Sequence, residues 1–372
     1  MFAKPINLAL VYVVTIFNII LLFSPVLAAV VPFVTFKNNV LIIDNDIFQK
    51  LKLAFCVLAF LVSFLMLLYL VLDFLFGFSV RASLKGCTRH EKLKDFDFLT
   101  GIFDQVKSKF GEKNVKLYIK DSDEINAFAV SSVGSKAMVL TRGLVNHYLV
   151  ECPDPKKFLY ALRSVMGHEM SHLINKDFLP TFLIINNQKM TNFVSHILFV
   201  IFNISIRIFR RLPYGGRFTA NLMSDSYAML NFVLTFFNRF IVYNVYEFLR
   251  RFISRSIEYR CDRQSSIAFG GKNMALALSM LSEGGYFTLF STHPRTRNRI
   301  KKCENVKISD STVTPRFIDS IANYFSLMFL VIICLYFAKQ AHVDYALRQY
   351  IQNHETINRK LGMLWHLVSR FF

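Results

Sequence analysis

Two long runs without a charged residue, Leu8 to Phe36 and Leu53 to Leu72, constrain this chain before anything else does. Each reaches the roughly 20 apolar residues that carry a helix across a bilayer. In hydrocarbon the backbone must satisfy its own polar groups, which makes a helix the natural solution for such runs. A cleavable signal peptide is the competing reading of the first run, since Val26-Leu27-Ala28-Ala29 resembles a processing site. That run is too long for a typical signal core and continues past the site, so a retained membrane helix fits better. A third apolar run spans Ile318 to Ala338, with Asp319 at its edge.

Two weaker apolar stretches lie between, from Phe178 to Phe209 and from Ala228 to Leu249. The first carries Asn186, Asn187, Gln188, Lys189 and His196; the second carries Asn238, Arg239 and Asn244. Ionisable groups inside a bilayer are costly and usually face a bundle or water. These stretches span, dip in part-way or lie in the interface, and hydropathy does not choose. Orientation is clearer near the start. Arg81, Lys85, Arg89, Lys92 and Lys94 follow the second run, whereas lysines balance Asp44 and Asp46 between Lys37 and Lys52. The positive-inside rule then puts the N-terminus and the region after Arg81 in the cytoplasm. A full hairpin would carry Arg207, Arg210, Arg211 and Arg217 outward, against that rule.

The net charge of +19 raises nucleic acid as a partner. The basic residues cluster beside apolar segments, however, and attraction to anionic lipid head groups explains that pattern more simply. No nucleic-acid partner is expected. The six cysteines, at 56, 87, 152, 261, 303 and 334, show no CxxC spacing, which fits reduced thiols rather than a disulfide framework.

The polar parts of the chain, about 86–177 and 250–316, read as one split domain. A helix is expected around Phe96 to Phe110, closed by Gly111. Three short β-like runs follow, at Val115 to Ile119, Ala127 to Val130 and Ala137 to Leu140. Asp154-Pro155 then supplies a cap and a first-turn proline for a helix. Phe158, Leu159, Leu162, Val165, Met166, Met170 and Leu173 recur along it at helical spacing. Further helices are expected over Arg250 to Phe269 and Asn273 to Leu281.

The helix that starts at Pro155 carries His168-Glu169-Met170-Ser171-His172. Residues four apart share a helix face, so His168 and His172 can offer two nitrogens to one ion. Zn²⁺ suits them and lowers the pKa of its water toward neutrality, and Glu169 is placed to act on that water as a base. A third ligand is still needed. A metzincin would have glycine and histidine at 175 and 178, where this chain has Asn175 and Phe178, so that class is excluded. The remaining common solution is a glutamate on a later helix, and Glu258 is the best candidate. Asp262, one turn on, can accept a hydrogen bond from a ligating histidine. A solvated face carrying Glu258, Arg260, Asp262 and Arg263 is the plainer alternative. Cys261 is read as a packing residue, although a thiol can also ligate zinc.

With these motifs in view the chain resembles the HtpX-type membrane zinc metalloproteases. The resemblance rests on HEMSH with Asn175-Lys176-Asp177, an apolar hairpin, then Glu258 and Asp262. Asn126-Ala127-Phe128-Ala129 resembles the family's NAFA strand, and Thr292-His293-Pro294 with Arg299 resembles its THP…R segment. The resemblance implies one zinc on His168, His172 and Glu258, with Glu169 as general base. It also implies that substrate joins the strand of Asn126, Ala127, Phe128 and Ala129 by β-augmentation, with Asn126 near the scissile bond. His293 would face the developing oxyanion, and Arg299 would brace Asp262 or the helix of Glu258. Asp177 is read as a helix-end residue. Lys176 stands where relatives commonly carry glycine, which leaves the local turn open. The apolar segment at Ile318 to Ala338 and the tail beyond it fall outside the resemblance.

The expected fold is therefore α+β: a multi-pass helical membrane protein with a split, mainly helical gluzincin-like metalloprotease domain carrying a small β-sheet. Residues 1–80 hold two transmembrane helices, 81–177 and 250–316 the two halves of the protease domain, and 178–249 a membrane-associated hairpin. Residues 317–339 form a C-terminal transmembrane segment and 340–372 an amphipathic tail, interfacial or solvent-exposed. The expected activity is zinc-dependent endoproteolysis at the cytoplasmic face of a bacterial inner membrane, on misfolded or damaged membrane proteins. A CAAX-type prenyl-protein protease and a catalytically inactive membrane scaffold are the alternatives. The expected partners are the lipid bilayer and polypeptide substrates; oligomeric state is open.

Overall fold

Helices α1 (Ala3–Val30) and α2 (Asn45–Phe76) form over the two charge-free runs, with short antiparallel strands β1 (Thr35–Lys37) and β2 (Val40–Ile42) between them. The computed structural model describes residues 3–353, except 34, 38, 39, 43, 44, 133 and 282–293. After α2 come α3 (Phe78–Ser83), β3 (Cys87–Arg89), α4 (Phe98–Lys109), β4 (Val115–Lys120), β5 (Ala127–Ser131) and β6 (Lys136–Thr141). Next are α5 (Arg142–Glu151), α6 (Pro155–Asn175), α7 (Phe178–Arg211) and α8 (Gly216–Phe237). A π-helical turn, Asn238–Val242, joins α8 to α9 (Tyr243–Phe269). The described chain closes with α10 (Gly271–Met280), α11 (Thr296–Glu304), α12 (Phe317–Gln340) and α13 (Val343–Asn353).

The protein is of the α+β class, mainly helical with a small mixed sheet, and is built as a multi-pass membrane protein. Among the described residues, five helical runs are long and apolar enough to cross a membrane: α1, α2, α7, Gly216–Phe269 and α12. The weak pair thus forms long helices whose turn bears Arg207, Arg210, Arg211 and Arg217. Elements that the sequence did not announce are the short ones: β1, β2, α3, β3, α5 and α11. Of the expected amphipathic tail, α13 is helical, and 354–372 lie outside the described residues.

Two compact units divide the chain. The first comprises Met1–Ile16, Leu68–Asn186 and Phe237–Leu327. Its sheet has the order β3-β4-β6-β5, with β4 and β6 parallel and the outer pairings antiparallel. Val115, Leu117 and Ile119 alternate inward from β4 and pack with Leu99, Phe103 and Val106 of α4 and with Leu162, Met166 and Met170 of α6. Period-two burial on the strand meets helical periodicity on α4 and α6, so the core lies on one face of the sheet. Helix α4 ends at Phe110, followed by Gly111 with φ 65°, a left-handed conformation that glycine adopts without a Cβ penalty.

The second unit comprises Phe17–Leu67, Asn187–Phe236 and Met328–Phe372. Ala28 and Ala220 are fully buried against Phe202, Ile206 and Met223, small residues letting helices approach as membrane helices do. Phe55 meets Phe23 edge-on at 5.5 Å and Phe337 at 6.2 Å. Asn187 accepts a hydrogen bond from Asn18, so these amides satisfy each other inside the bundle. Phe193, Ile201, Phe232 and Phe236 point outward, as lipid-facing residues do. All six cysteines are free thiols.

Candidate active site

Helix α6 starts as its sequence dictates: Asp154 accepts a hydrogen bond from the Lys156 amide at 2.9 Å, and Pro155 occupies the first position. It ends at Lys176, which takes the left-handed conformation with φ 55° and ψ 49°. A side chain there costs about 1–2 kcal/mol relative to glycine. The turn lets Asp177 fold back, its amide donating to the His172 carbonyl at 3.2 Å.

Helix α9 crosses α6 closely. A Cβ on Gly167 would lie 2.8 Å from the Phe269 ring and 2.9 Å from Ser265 Oγ. Ser265 donates to the Ser164 carbonyl at 2.6 Å, and Ser171 and Asn175 both donate to Gln264 Oε1, at 2.5 and 2.8 Å. This polar seam sets the register that lays Glu258 and Asp262 over the two histidines. Gly167→Val is therefore expected to overpack the seam, costing about 1–3 kcal/mol. Thermal melting should show the loss, and zinc affinity measured on the folded fraction should fall as α9 is pushed away. Unchanged melting and affinity would mean that the seam does not set this spacing.

His168 Nε2 and His172 Nε2 are 3.3 Å apart, and Glu258 carboxylate oxygens lie 3.5 and 3.6 Å from them respectively. Ligands about 2.0–2.1 Å from a tetrahedral zinc stand about 3.4 Å from one another. The three donors therefore fit one zinc ion and leave a fourth position. Both histidines are fixed from behind. His168 Nδ1 is 2.9 Å from Asp262, and His172 Nδ1 is 2.9 Å from Asp177, which directs each Nε2 toward the shared point. Cys261 Sγ also comes near the histidines, but it approaches His172 Nδ1, at 3.5 Å. That nitrogen already faces Asp177. A metal on the Nε2 side, held with Glu258, satisfies more of these groups at once.

Two ion-pair systems hold the carboxylates. Arg299 donates to both oxygens of Asp262 at 2.7 Å and stands 3.2 Å from Glu258. Asp177 pairs with Arg260 and with Lys4, the latter at 3.6 Å. Arg260 reaches on to Asp319 at 2.7 Å. Asn175, whose carbonyl accepts from Lys4 and from Asn323, ties the end of α6 to the same group. Burial alone would raise the Asp177 carboxyl, yet the Arg260 guanidinium and His172 hold it down to about 2. Asp177 was expected only to end a helix, because nothing in sequence shows that the left-handed Lys176 returns it to His172. Asp177→Asn is expected to weaken zinc binding about 10- to 100-fold, read by chelator competition; wild-type affinity would remove Asp177 from the histidine's support.

Glu169 is buried beside the donors and accepts a hydrogen bond from the Ala129 backbone. Burial raises its carboxyl above the ordinary range, against the opposing pull of His168 and His172, making it a better proton acceptor than a solvated glutamate. Strand β5 pairs only with β6, so its other edge is unpaired among the described residues. A cleft of about 420 Å³ runs along it, lined by Asn126, Ala127, Phe128 and Ala129 on one side and by His172, Glu169 and Glu258 on the other. A smaller pocket of about 140 Å³ opens beyond the donors, walled by Leu144, Val165, Met274, Leu278 and Leu281. Thus His168, Glu169, His172, Glu258, Asp262, Arg299 and the Asn126–Ala129 stretch converge. His293, the expected oxyanion donor, lies outside the described residues.

The profile of peptidase family M48 matches residues 99–307, more than half of the chain, including His168, Glu169, His172, Glu258, Asp262 and Arg299. The chain belongs to peptidase family M48. M48 peptidases are zinc-dependent metallopeptidases, and the donor spacing above suits that metal. No curated protein matches the chain. Among solved structures, Ste24p from S. mikatae is similar over 69% of this chain and 65% of that chain, with 18% sequence identity and a TM-score of 0.35. The chain thus spans about two thirds of the length of Ste24p. The matched residues run continuously through α7 and α8.

Proposed function

We propose that this M48 peptidase is a membrane-bound zinc endopeptidase of the HtpX type, acting on misfolded or damaged membrane proteins. The observation that carries the reading is that His168 Nε2 and His172 Nε2 stand 3.3 Å apart with the Glu258 carboxylate beside both, Oε2 3.5 Å from the first and Oε1 3.6 Å from the second. Zinc held by these residues would supply Lewis-acid polarisation and lower the pKa of a bound water toward 7. Glu169 takes the proton from the attacking water at a carboxylate oxygen and passes it to the leaving amine. The free edge of β5 binds an extended substrate through its backbone, which suits cleavage with little regard to sequence. Asn126 stands at the rim of both cavities, positioned to hold the peptide beside the scissile bond. The apolar pocket behind the donors favours one aliphatic side chain next to that bond.

The same reading places the site on the cytoplasmic side of a bacterial inner membrane. Arg81, Lys85, Arg89, Lys92 and Lys94 after α2 support it through the positive-inside rule. A hairpin of α7 and α8 that crosses and returns keeps both halves of the protease domain on one side. The arginines at its turn are then the exception to the charge rule. The reading is tested on the full chain in detergent with a loosely folded protein such as casein. A chelator is expected to stop cleavage and added zinc to restore it. Cleavage that survives complete removal of metal would overturn the proposal.

A further inference from the structure

A cavity of about 700 Å³ lies apart from the metal donors, between the foot of α2 and the outer face of the sheet. None of the proposed catalytic or ligand residues lines it. Its walls are fixed by close contacts. A Cβ on Gly134, in the turn between β5 and β6, would come within 2.5 Å of the Phe74 carbonyl. Gly77, with φ 62°, turns the chain from α2 into α3. Asp73 then secures α3 by accepting from the Ser79 amide at 2.7 Å and its hydroxyl at 2.9 Å.

The cavity has two chemistries. On the α2 side stand Leu75 and Phe76, with Phe74 and Phe78 exposed next to them, where an apolar membrane-spanning run gives out. The opposite rim is basic. Lys136 is neutralised by Glu112 at 2.5 Å, Arg89 by Glu91 at 3.3 Å and Lys107 by Asp104 at 2.6 Å. Arg81, Lys113 and Lys116 also line the cavity and, among the described residues, have no carboxylate partner. Lys116 projects from β4 on the face opposite the core, since Val115 and Leu117 are buried and Lys116 is exposed. Three unneutralised cations beside an aromatic collar at the end of a membrane helix match one class of ligand: a phosphate ester carrying hydrocarbon chains.

We propose that this cavity binds the head group of an anionic phospholipid, with its phosphate against Arg81, Lys113 and Lys116 and its acyl chains along Leu75 and Phe76. The lipid would fix the level at which the protease domain sits on the bilayer. A free phosphate shares the head-group chemistry but lacks the chains, so it should bind far more weakly.

The test uses the full chain, zinc-loaded, in an uncharged detergent, with bound lipid counted by native mass spectrometry. Phosphatidylglycerol is expected to be retained and phosphatidylcholine lost. The variant R81Q/K113Q/K116Q should bind phosphatidylglycerol roughly a hundredfold more weakly, and Lys116→Gln alone about fivefold, at about 1 kcal/mol per charge. The variant R207Q/R210Q/R211Q, with the same change of charge at the hairpin turn, should retain it. Zinc content equal to wild type shows that each variant is folded. Equal loss in the two triple variants, or equal retention of the two lipids, would overturn the site. Displacement of phosphatidylglycerol by inorganic phosphate at comparable concentration would overturn the lipid assignment. The lipid result does not depend on catalysis, so it stands or falls separately from the endopeptidase reading.

Discussion

Glu169→Gln is expected to lower casein cleavage by about 10²- to 10⁴-fold, the range that general acid–base catalysis contributes, while zinc stays bound. The amide keeps the size of the side chain and its place beside the Ala129 backbone, but it has no lone pair basic enough to take a proton from water. Glu169 ligates nothing in the proposed site, so metal content should remain that of the wild type. The two readouts therefore separate. Equal cleavage by the two proteins would remove Glu169 from the mechanism. Loss of zinc along with activity would place Glu169 among the ligands instead and leave its role as base without support.

The second large effect concerns the third ligand. Glu258→Ala should weaken zinc binding well beyond the roughly 100-fold attached to outer partners, because a direct donor is removed from a set of three. It also leaves Arg299, 3.2 Å from Glu258 in the intact protein, with less charge to face. Cys261→Ala should retain zinc, since the thiol addresses the Nδ1 side of His172, where Asp177 already sits. Chelator competition on the two variants decides between these donors. Zinc lost with Cys261→Ala and kept with Glu258→Ala would make the thiol the ligand and would require a different metal position.

The parts of this protein that were readable in the sequence are those encoded over short distances. A charge-free run reads directly as a membrane-crossing helix. Asp154-Pro155 marks the start of α6, and the spacing of His168 and His172 puts them on one face whatever surrounds them. Glu258 and Asp262 repeat that spacing on α9. The short elements β1, β2, α3, β3, α5 and α11 are not legible in the sequence, because three to ten residues carry too little periodicity to separate from loop.

What the sequence determined, then, is the list of donors, the helices that bear them and the apolar runs around them. It left open which histidine Asp262 faces and gave no sign of what faces the other. That His168 turns to Asp262 and His172 to Asp177 follows from the crossing of α6 and α9 at Gly167 and from a left-handed lysine at 176. The same holds for the chain of charges from Lys4 through Asp177 and Arg260 to Asp319, whose members lie up to several hundred residues apart. Buried charges must find opposite partners wherever the fold supplies them. Those partners are selected by packing between distant segments, and only the tertiary structure fixes that packing.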